Sequence, residues 1–358
     1  MARVDLGGWT VWEMHMRLRL TSLSIHAAVI ALVLTVSMLA STPASAEEFY
    51  EKKRITLTIG SPPGGGYDTL GRVMSRWWGK HIPGNPNFIV QNMPGASSLA
   101  MTNHVYTVAP RDGTVIGLAN NAMPTAPLLY PETARFDPAK LSWIGGPSRD
   151  AIVVMVWHTA PAQTLQDLLT KEIIVGGSAR GSAPTDYALV ANEVLGTKFK
   201  LVTGYRGNEE VDLAMERGEV NGNAGLGWVS AKNGNAEWLA SGKAKVIAQY
   251  GYRAHPDIPN VPVFPLPNKV EDRQILEILY ARDESGRPVF GPPEMPRAQL
   301  TTLRRSFTAM LKDEGFLAET NKLNLVVDPV TGEQLDELAN RLAKTPPEVA
   351  ERARKMLN

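Results

Sequence analysis

Ile55-Thr56-Leu57-Thr58-Ile59-Gly60-Ser61-Pro62-Pro63-Gly64-Gly65-Gly66-Tyr67-Asp68 is the stretch from which the rest of the chain can be read. Its first five residues form a short β-branched and apolar run, the pattern of a buried strand. Three glycines then let the backbone turn sharply, because without a Cβ they reach conformations closed to other residues. Leu70, Val73, Met74, Trp77 and Trp78 follow at helical spacing, so the whole reads as strand, glycine turn and helix start. That order places bare backbone N–H groups at the positive end of a helix, which suits a carboxylate or phosphate. A tight turn with no ligand has the same signature, and this stretch alone does not separate the two.

Upstream, Arg17 and Arg19 precede an apolar stretch over 25–40, and Ala44-Ser45-Ala46 supplies a small-x-small site before Glu47. These are the parts of a secretory signal peptide cleaved after Ala46. A membrane anchor is the alternative, at the lower length limit for spanning and with Pro43 against it. The leader carries Arg3, Arg17 and Arg19 against Asp5 and Glu13, so the chain's net charge of +1 falls to zero in the mature protein. Neutrality gives no electrostatic reason to expect nucleic acid or an anionic membrane as partner. The sequence has no cysteine, which excludes disulfides, thiol nucleophiles and thiolate metal sites. An exported chain without disulfides fits a bacterial periplasm.

Along the mature chain, strand patterns at 54–60, 87–91, 114–119, 151–157, 172–176, 198–203, 219–223 and 244–249 alternate with helical ones. The helices fall at 69–80, 97–108, 165–169, 185–195, 208–217 and 228–241. Alternation of this kind argues an α/β fold of mostly parallel sheets flanked by helices. Thr164 with Asp167, Thr331 with Gln334 and Thr345 with Glu348 have the spacing of capping boxes. Gly145-Gly146-Pro147-Ser148-Arg149-Asp150 interrupts the pattern, and 251–268 is rich in proline. If the chain enters a second domain near 150 and returns near 250, domain 1 comprises 47–149 with 251–358 and domain 2 comprises 150–250. Two crossover segments would then form a hinge below a cleft, a common place for a ligand. Residues 283–293 are polar and proline-rich and read as an exposed excursion.

Catalytic patterns are mostly missing. Gly66 and Gly71 have phosphate-loop spacing, but Arg72-Val73 stands where lysine and a hydroxyl residue are needed. Thr69 occupies the third glycine of a dinucleotide fingerprint, and Gly177-Ser178-Ala179-Arg180-Gly181 has its serine one place early for a nucleophile elbow. His81, His104, His158 and His255 are far apart, so no metal site and no cofactor are expected. What recurs instead is a small polar turn after a strand: 63–68, 92–98, Asn120-Asn121-Ala122, 177–182, and Gly204-Tyr205-Arg206-Gly207. In parallel sheets such turns gather at the carboxyl ends of the strands, where ligands bind. Arg180 and Arg206 are the cations in these turns, and each either clamps an acid group or points at water.

Four segments together resemble a known family: Pro63-Gly64-Gly65-Gly66-Tyr67-Asp68, Asn92-Met93-Pro94-Gly95-Ala96, Ala109-Pro110-Arg111-Asp112-Gly113-Thr114, and His255-Pro256-Asp257-Ile258-Pro259-Asn260-Val261-Pro262. The family is that of the substrate-binding receptors of tripartite tricarboxylate transporters, the TctC or Bug proteins. The resemblance runs from about Ile55 to the C-terminus. It implies a monomeric, two-lobed, type II-like periplasmic binding protein that closes on a small organic carboxylate and delivers it to a permease of large and small subunits. It implies ligand contacts at Gly65, Gly66, Tyr67, Asp68, Gly95, Ala96 and Ser97. From the second domain it implies Ser178, Gly181, Ser182, Thr185, Tyr205 and Gly207. The strand-end reading adds Asn120, Arg180 and Arg206. Tyr67 stands where the family usually has threonine, Met93 replaces an arginine, and 269–293 is longer than the usual connection. Two other functions fit the same features: a ligand-sensing protein that serves a signalling partner, and an exported α/β enzyme acting on a carboxylate, which would need a nucleophile–base pair.

Overall fold

The structure is a computed structural model that describes residues 49–178 and 180–357. The expected leader at 1–46 lies outside the described residues. From β1 (Arg54–Ile59) the chain runs through α1 (Gly66–Trp77), β2 (Asn87–Asn92), α2 (Leu99–Thr107), β3 (Val115–Leu118), α3 (Ala126–Leu129) and β4 (Ser142–Gly146). It then crosses to β5 (Ile152–Trp157), α4 (Leu165–Thr170), β6 (Ile173–Gly176), α5 (Ala183–Val190), β7 (Phe199–Val202), α6 (Asn208–Glu216), β8 (Gly222–Gly227), α7 (Trp228–Gly234), α8 (Ala236–Ser241) and β9 (Ala244–Gln249). The return comprises α9 (Val270–Ser285), β10 (Val289–Gly291), α10 (Arg297–Met310), α11 (Glu314–Lys322), β11 (Val330–Thr331), α12 (Gly332–Leu342) and α13 (Pro347–Leu357).

Two sheets result, ordered β11-β4-β10-β3-β1-β2 and β7-β6-β8-β5-β9. The expected parallel ladders form around β1, with β2 and β3, and around β6, with β7 and β8. Beyond these the sheets are mixed rather than mostly parallel. β10 and β11 return from late in the chain and pair antiparallel with β3 and β4, and β5 pairs antiparallel with both β8 and β9.

β5 shows why these strands are interior. All six of its residues are buried. Ile152, Val154 and Val156 join the apolar cluster on one face, and Val153, Met155 and Trp157 join the cluster on the other. A strand covered by helices on both faces needs this unbroken apolar run. In the first lobe α1 turns Leu70, Val73 and Met74 toward Ile55, Leu57 and Ile59 of β1. A Cβ on Gly71 would lie 2.4 Å from Ile59 Cδ1, so glycine sets the close approach of helix and strand.

Residues 283–293 are the main correction to the sequence reading. They are not an exposed excursion: α9 runs to Ser285, β10 is a central strand of the first sheet, and Arg282, Ser285, Val289 and Phe290 are all buried. Within the segment Asp283 and Ser285 bond interior partners, Tyr187 and the Asn121 carbonyl. The expected helix over 228–241 is two helices, divided at Asn235. β4 was not expected, and it takes in Gly145-Gly146, so the break expected at 145–150 is shortened to the connection at 147–151. The core of the second lobe also draws on residues outside 150–250: Ile275, Leu276, Ile278, Leu279 and Tyr280 of α9, and Val349, Ala353 and Leu357 of α13, pack into it.

Candidate anion-binding cleft

The turn after β1 is assembled around Asp68. Its carboxylate accepts the Gly64 N–H at 2.9 Å, Asn92 Nδ2 at 2.9 Å and Arg72 Nε at 2.9 Å. The Arg72 bond above all, with the Gly64 and Asn92 bonds, lowers its pKa to about 2. Asp68 is 4% exposed and its oxygens are engaged, so it braces the turn from within rather than facing a ligand. Gly65 caps α1 with no side-chain hydrogen bond, leaving that helix end to its backbone N–H groups. A Cβ built on Gly64 or Gly65 meets nothing within 4 Å, so open space lies against the turn.

The second turn is pulled against the first by Ser98. Ser98 Oγ donates to Gly60 O at 3.0 Å and accepts the Asn120 N–H at 3.0 Å. A Cβ at Gly60 would sit 2.4 Å from Ser98 Cβ, so only glycine permits this approach. Gly95, Ala96, Ser97 and Ser98 all have positive φ, at 145°, 44°, 52° and 80°. Left-handed backbone in three successive non-glycine residues is costly and persists where neighbouring structure enforces it, as at binding sites. Tyr67 Oη accepts the Asn121 N–H at 3.2 Å, and burial raises its pKa, which keeps it a neutral phenol. The turns at 64–68, 95–98 and 120–122 are therefore one wall.

In the second lobe Thr185 Oγ1 donates to Ser178 O at 3.1 Å, Ser182 Oγ donates to Thr185 Oγ1 at 3.2 Å, and the Gly181 N–H donates to Asp186 Oδ1 at 3.0 Å. Asp186 is held by Arg282 of α9 at 2.6 Å, both side chains being buried. A Cβ on Gly181 would lie 3.1 Å from Tyr130 Oη, so this turn approaches the connection between β3 and β4. Tyr205 packs with Val211, Ala214 and Met215 and closes on Gly176. Gly207 caps α6. Arg206 turns to solvent, 91% exposed, and pairs with Glu210 at 2.9 Å. Arg180 is exposed.

Sequence reasoning missed three side chains beside these walls. Arg287 places its guanidinium carbon 5.1 Å from the centre of the Tyr67 ring and its Nη1 3.4 Å from Gly66 O. Asp150 accepts the Val229 N–H at 3.0 Å at the start of α7, and burial pushes its carboxyl up to about 6. Asp283 accepts Tyr187 Oη at 3.2 Å, and burial raises its pKa well above the usual carboxylate range. The usable signal for one of them was the apolar spacing of Ile275, Leu276, Ile278 and Leu279, which continues a helix up to Asp283. A cavity of about 510 Å³ is lined by residues 149–151, 228–229, 250–257 and 326–328 with Tyr280, Asp283 and Glu284, so Asp150 and Asp283 line it while none of the turn residues does.

The walls offer backbone N–H groups, hydroxyls and one guanidinium. Ser98 and Thr185 donate to main-chain carbonyls and not to a base, which suits binding rather than nucleophilic attack.

No family model matches the chain, and no curated protein matches it. Solved structures do. A TctC solute-binding protein from Polaromonas, without ligand, is 19% identical at a TM-score of 0.68, over 86% of this chain and 99% of that one. MatC from Rhodopseudomonas palustris with bound malate is 18% identical at 0.57, over 85% and 99%. A second Rhodopseudomonas palustris protein, with adipate, is 18% identical at 0.59, over 84% and 97%. The chain thus has the two-sheet α/β fold of solute-binding proteins. Within that class it has the architecture of the TctC type.

Proposed function

We propose that this chain is a periplasmic solute-binding receptor of the TctC/Bug kind. It captures a small organic carboxylate between lobes joined near 150 and 250, and delivers it to the large and small subunits of a tripartite membrane permease. The leader read at 1–46 directs export, and the protein catalyses no reaction. The observation that carries this reading is the meeting of three strand-end turns at the start of α1, where Gly64 and Gly65 face open space and no side chain caps the helix, with the end of α9 bonded both to Asn121 of this wall and to Asp186 of the second-lobe turn. Main-chain N–H groups at a helix start bind carboxylates through hydrogen bonds and the helix dipole. Proteins of this fold hold malate and adipate, which supports the choice of ligand class.

The reading is tested by thermal shift of the mature protein against mono-, di- and tricarboxylates and aromatic acids. A ligand at 100 times its Kd stabilises the protein by about 2.7 kcal/mol. A melting temperature that responds to sugars or cations and to no carboxylate overturns the proposal.

A further inference from the structure

We infer that Arg287 contacts the ligand directly, its guanidinium gripping the carboxylate that the first turn holds through main-chain N–H groups. This assignment rests on the carboxylate reading above and adds a specific cation to it.

Arg287 is fixed at its base. Its N–H donates to Ser148 O at 3.1 Å, on the connection between the two sheets, and the next residue, Pro288, accepts the Ala119 N–H at 3.0 Å. From there the side chain reaches the first turn. An ideal Cβ on Gly66 would have the two Nη atoms as its nearest neighbours, at 3.8 and 3.9 Å, and the Tyr67 ring faces the guanidinium. The cation therefore stands over the first residue of α1, next to the open space at Gly64 and Gly65.

Its bonding is incomplete. A guanidinium has five N–H donors, yet a ring face and one 3.4 Å carbonyl contact are the partners found among the described residues. No carboxylate among them lies within the 4.0 Å of an ion pair. Neighbouring arginines differ: Arg282 pairs with Asp186 and Arg72 with Asp68. Arg287 is half-exposed with N–H groups left free, and a carboxylate arriving at the turn takes them up by two parallel hydrogen bonds. The Tyr67 ring holds the fork in place for that approach.

The test compares wild type with Arg287→Gln and Arg287→Lys by calorimetric titration with malate and adipate, or with the panel acid of largest thermal shift where neither binds. Arg287→Gln is expected to weaken binding at least about tenfold and to flatten its salt dependence, and Arg287→Lys to restore part of the loss. Wild type that binds a carboxylate no better than a folded Arg287→Gln overturns the assignment and leaves the carboxylate reading standing. Wild type that binds no acid ends both. A second measurement needs no variant: phenylglyoxal labelling read by peptide mass spectrometry. Saturating carboxylate should protect Arg287 where sodium chloride of equal ionic strength does not. Labelling unchanged at saturation overturns the assignment as well.

Discussion

The turn after β1 and the turn after β6 are each pinned by an aspartate in the first turn of the following helix, and the difference lies in what holds that aspartate. Asp68 takes the Gly64 N–H and Asp186 takes the Gly181 N–H, at 2.9 and 3.0 Å. Asp68 is paired with Arg72, one helical turn away and 45% exposed. Asp186 is paired with Arg282, which comes from α9 and is 3% exposed. The first turn is thus a local unit whose parts lie close in sequence. The second depends on a helix that enters from the return segment, so its geometry is tied to how α9 sits between the sheets. Asp150 completes the series: it too accepts an N–H at a helix start, but no arginine pairs with it within 4 Å among the described residues. The carboxyls respond accordingly, with Asp68 held near 2 by its partner and Asp150 pushed to about 6 by burial.

The largest test of this contrast is Arg282→Met. It leaves Asp186 buried and unpaired, a loss that costs about 3–5 kcal/mol where one member of a buried ion pair is removed. Urea denaturation should show this, together with weaker carboxylate binding as the 177–182 turn loses its anchor. A loss below 1 kcal/mol would mean that α9 does not fix that turn.

This asymmetry also explains what the sequence disclosed. The strand, turn and helix at 55–78 were legible because their contacts are local: Asp68 reaches Gly64 and Arg72, and Leu70, Val73 and Met74 pack on the strand just before them. The turn at 177–182 was legible as a turn, but its anchor at Arg282 was not. No local pattern announces that a charged residue in a polar segment has a buried partner 96 positions away. The same segment hid β10, three residues long and followed by Pro292 and Pro293, because sheet position is decided by pairing with β3 and β4 and not by its own length. Arg287 was hidden for that reason too. Asp68 shows the opposite failure: the motif put it at the turn, while only the folded structure reveals that its carboxylate points inward.

A smaller effect is expected at Asp150, where the comparison becomes one of pH. An aspartate whose pKa is higher folded than unfolded binds more protons in the fold. Its contribution is fully present below its ordinary pKa of roughly 4 and is lost as pH rises through about 6. Asp150→Asn keeps an oxygen for the Val229 N–H and cannot ionise. Relative to wild type the variant should gain stability between pH 4 and 7, reaching up to ~3 kcal/mol at pH 8. Chemical denaturation across this range reads the difference directly. Parallel curves for the two proteins would show that Asp150 ionises in the fold as it does in the unfolded chain.

The smallest effect belongs to Arg72→Ala, the counterpart of Arg282→Met in the first lobe. Arg72 is half-exposed, and a pair whose cation stays largely in solvent one helical turn away contributes little to stability. Asp68 keeps the Gly64 N–H and Asn92 Nδ2 when Arg72 is gone, so the turn should hold its shape and carboxylate affinity should change little. Without the guanidinium the Asp68 carboxyl moves back up toward its ordinary range, which an NMR titration of that side chain detects. Because a depressed carboxyl stabilises the fold above its unfolded pKa and loses that contribution as pH falls, the variant should also be less sensitive to acid between roughly pH 4 and 2. If Arg72→Ala instead costs as much as Arg282→Met, the first turn is not self-contained, and proximity in sequence is not what made it legible.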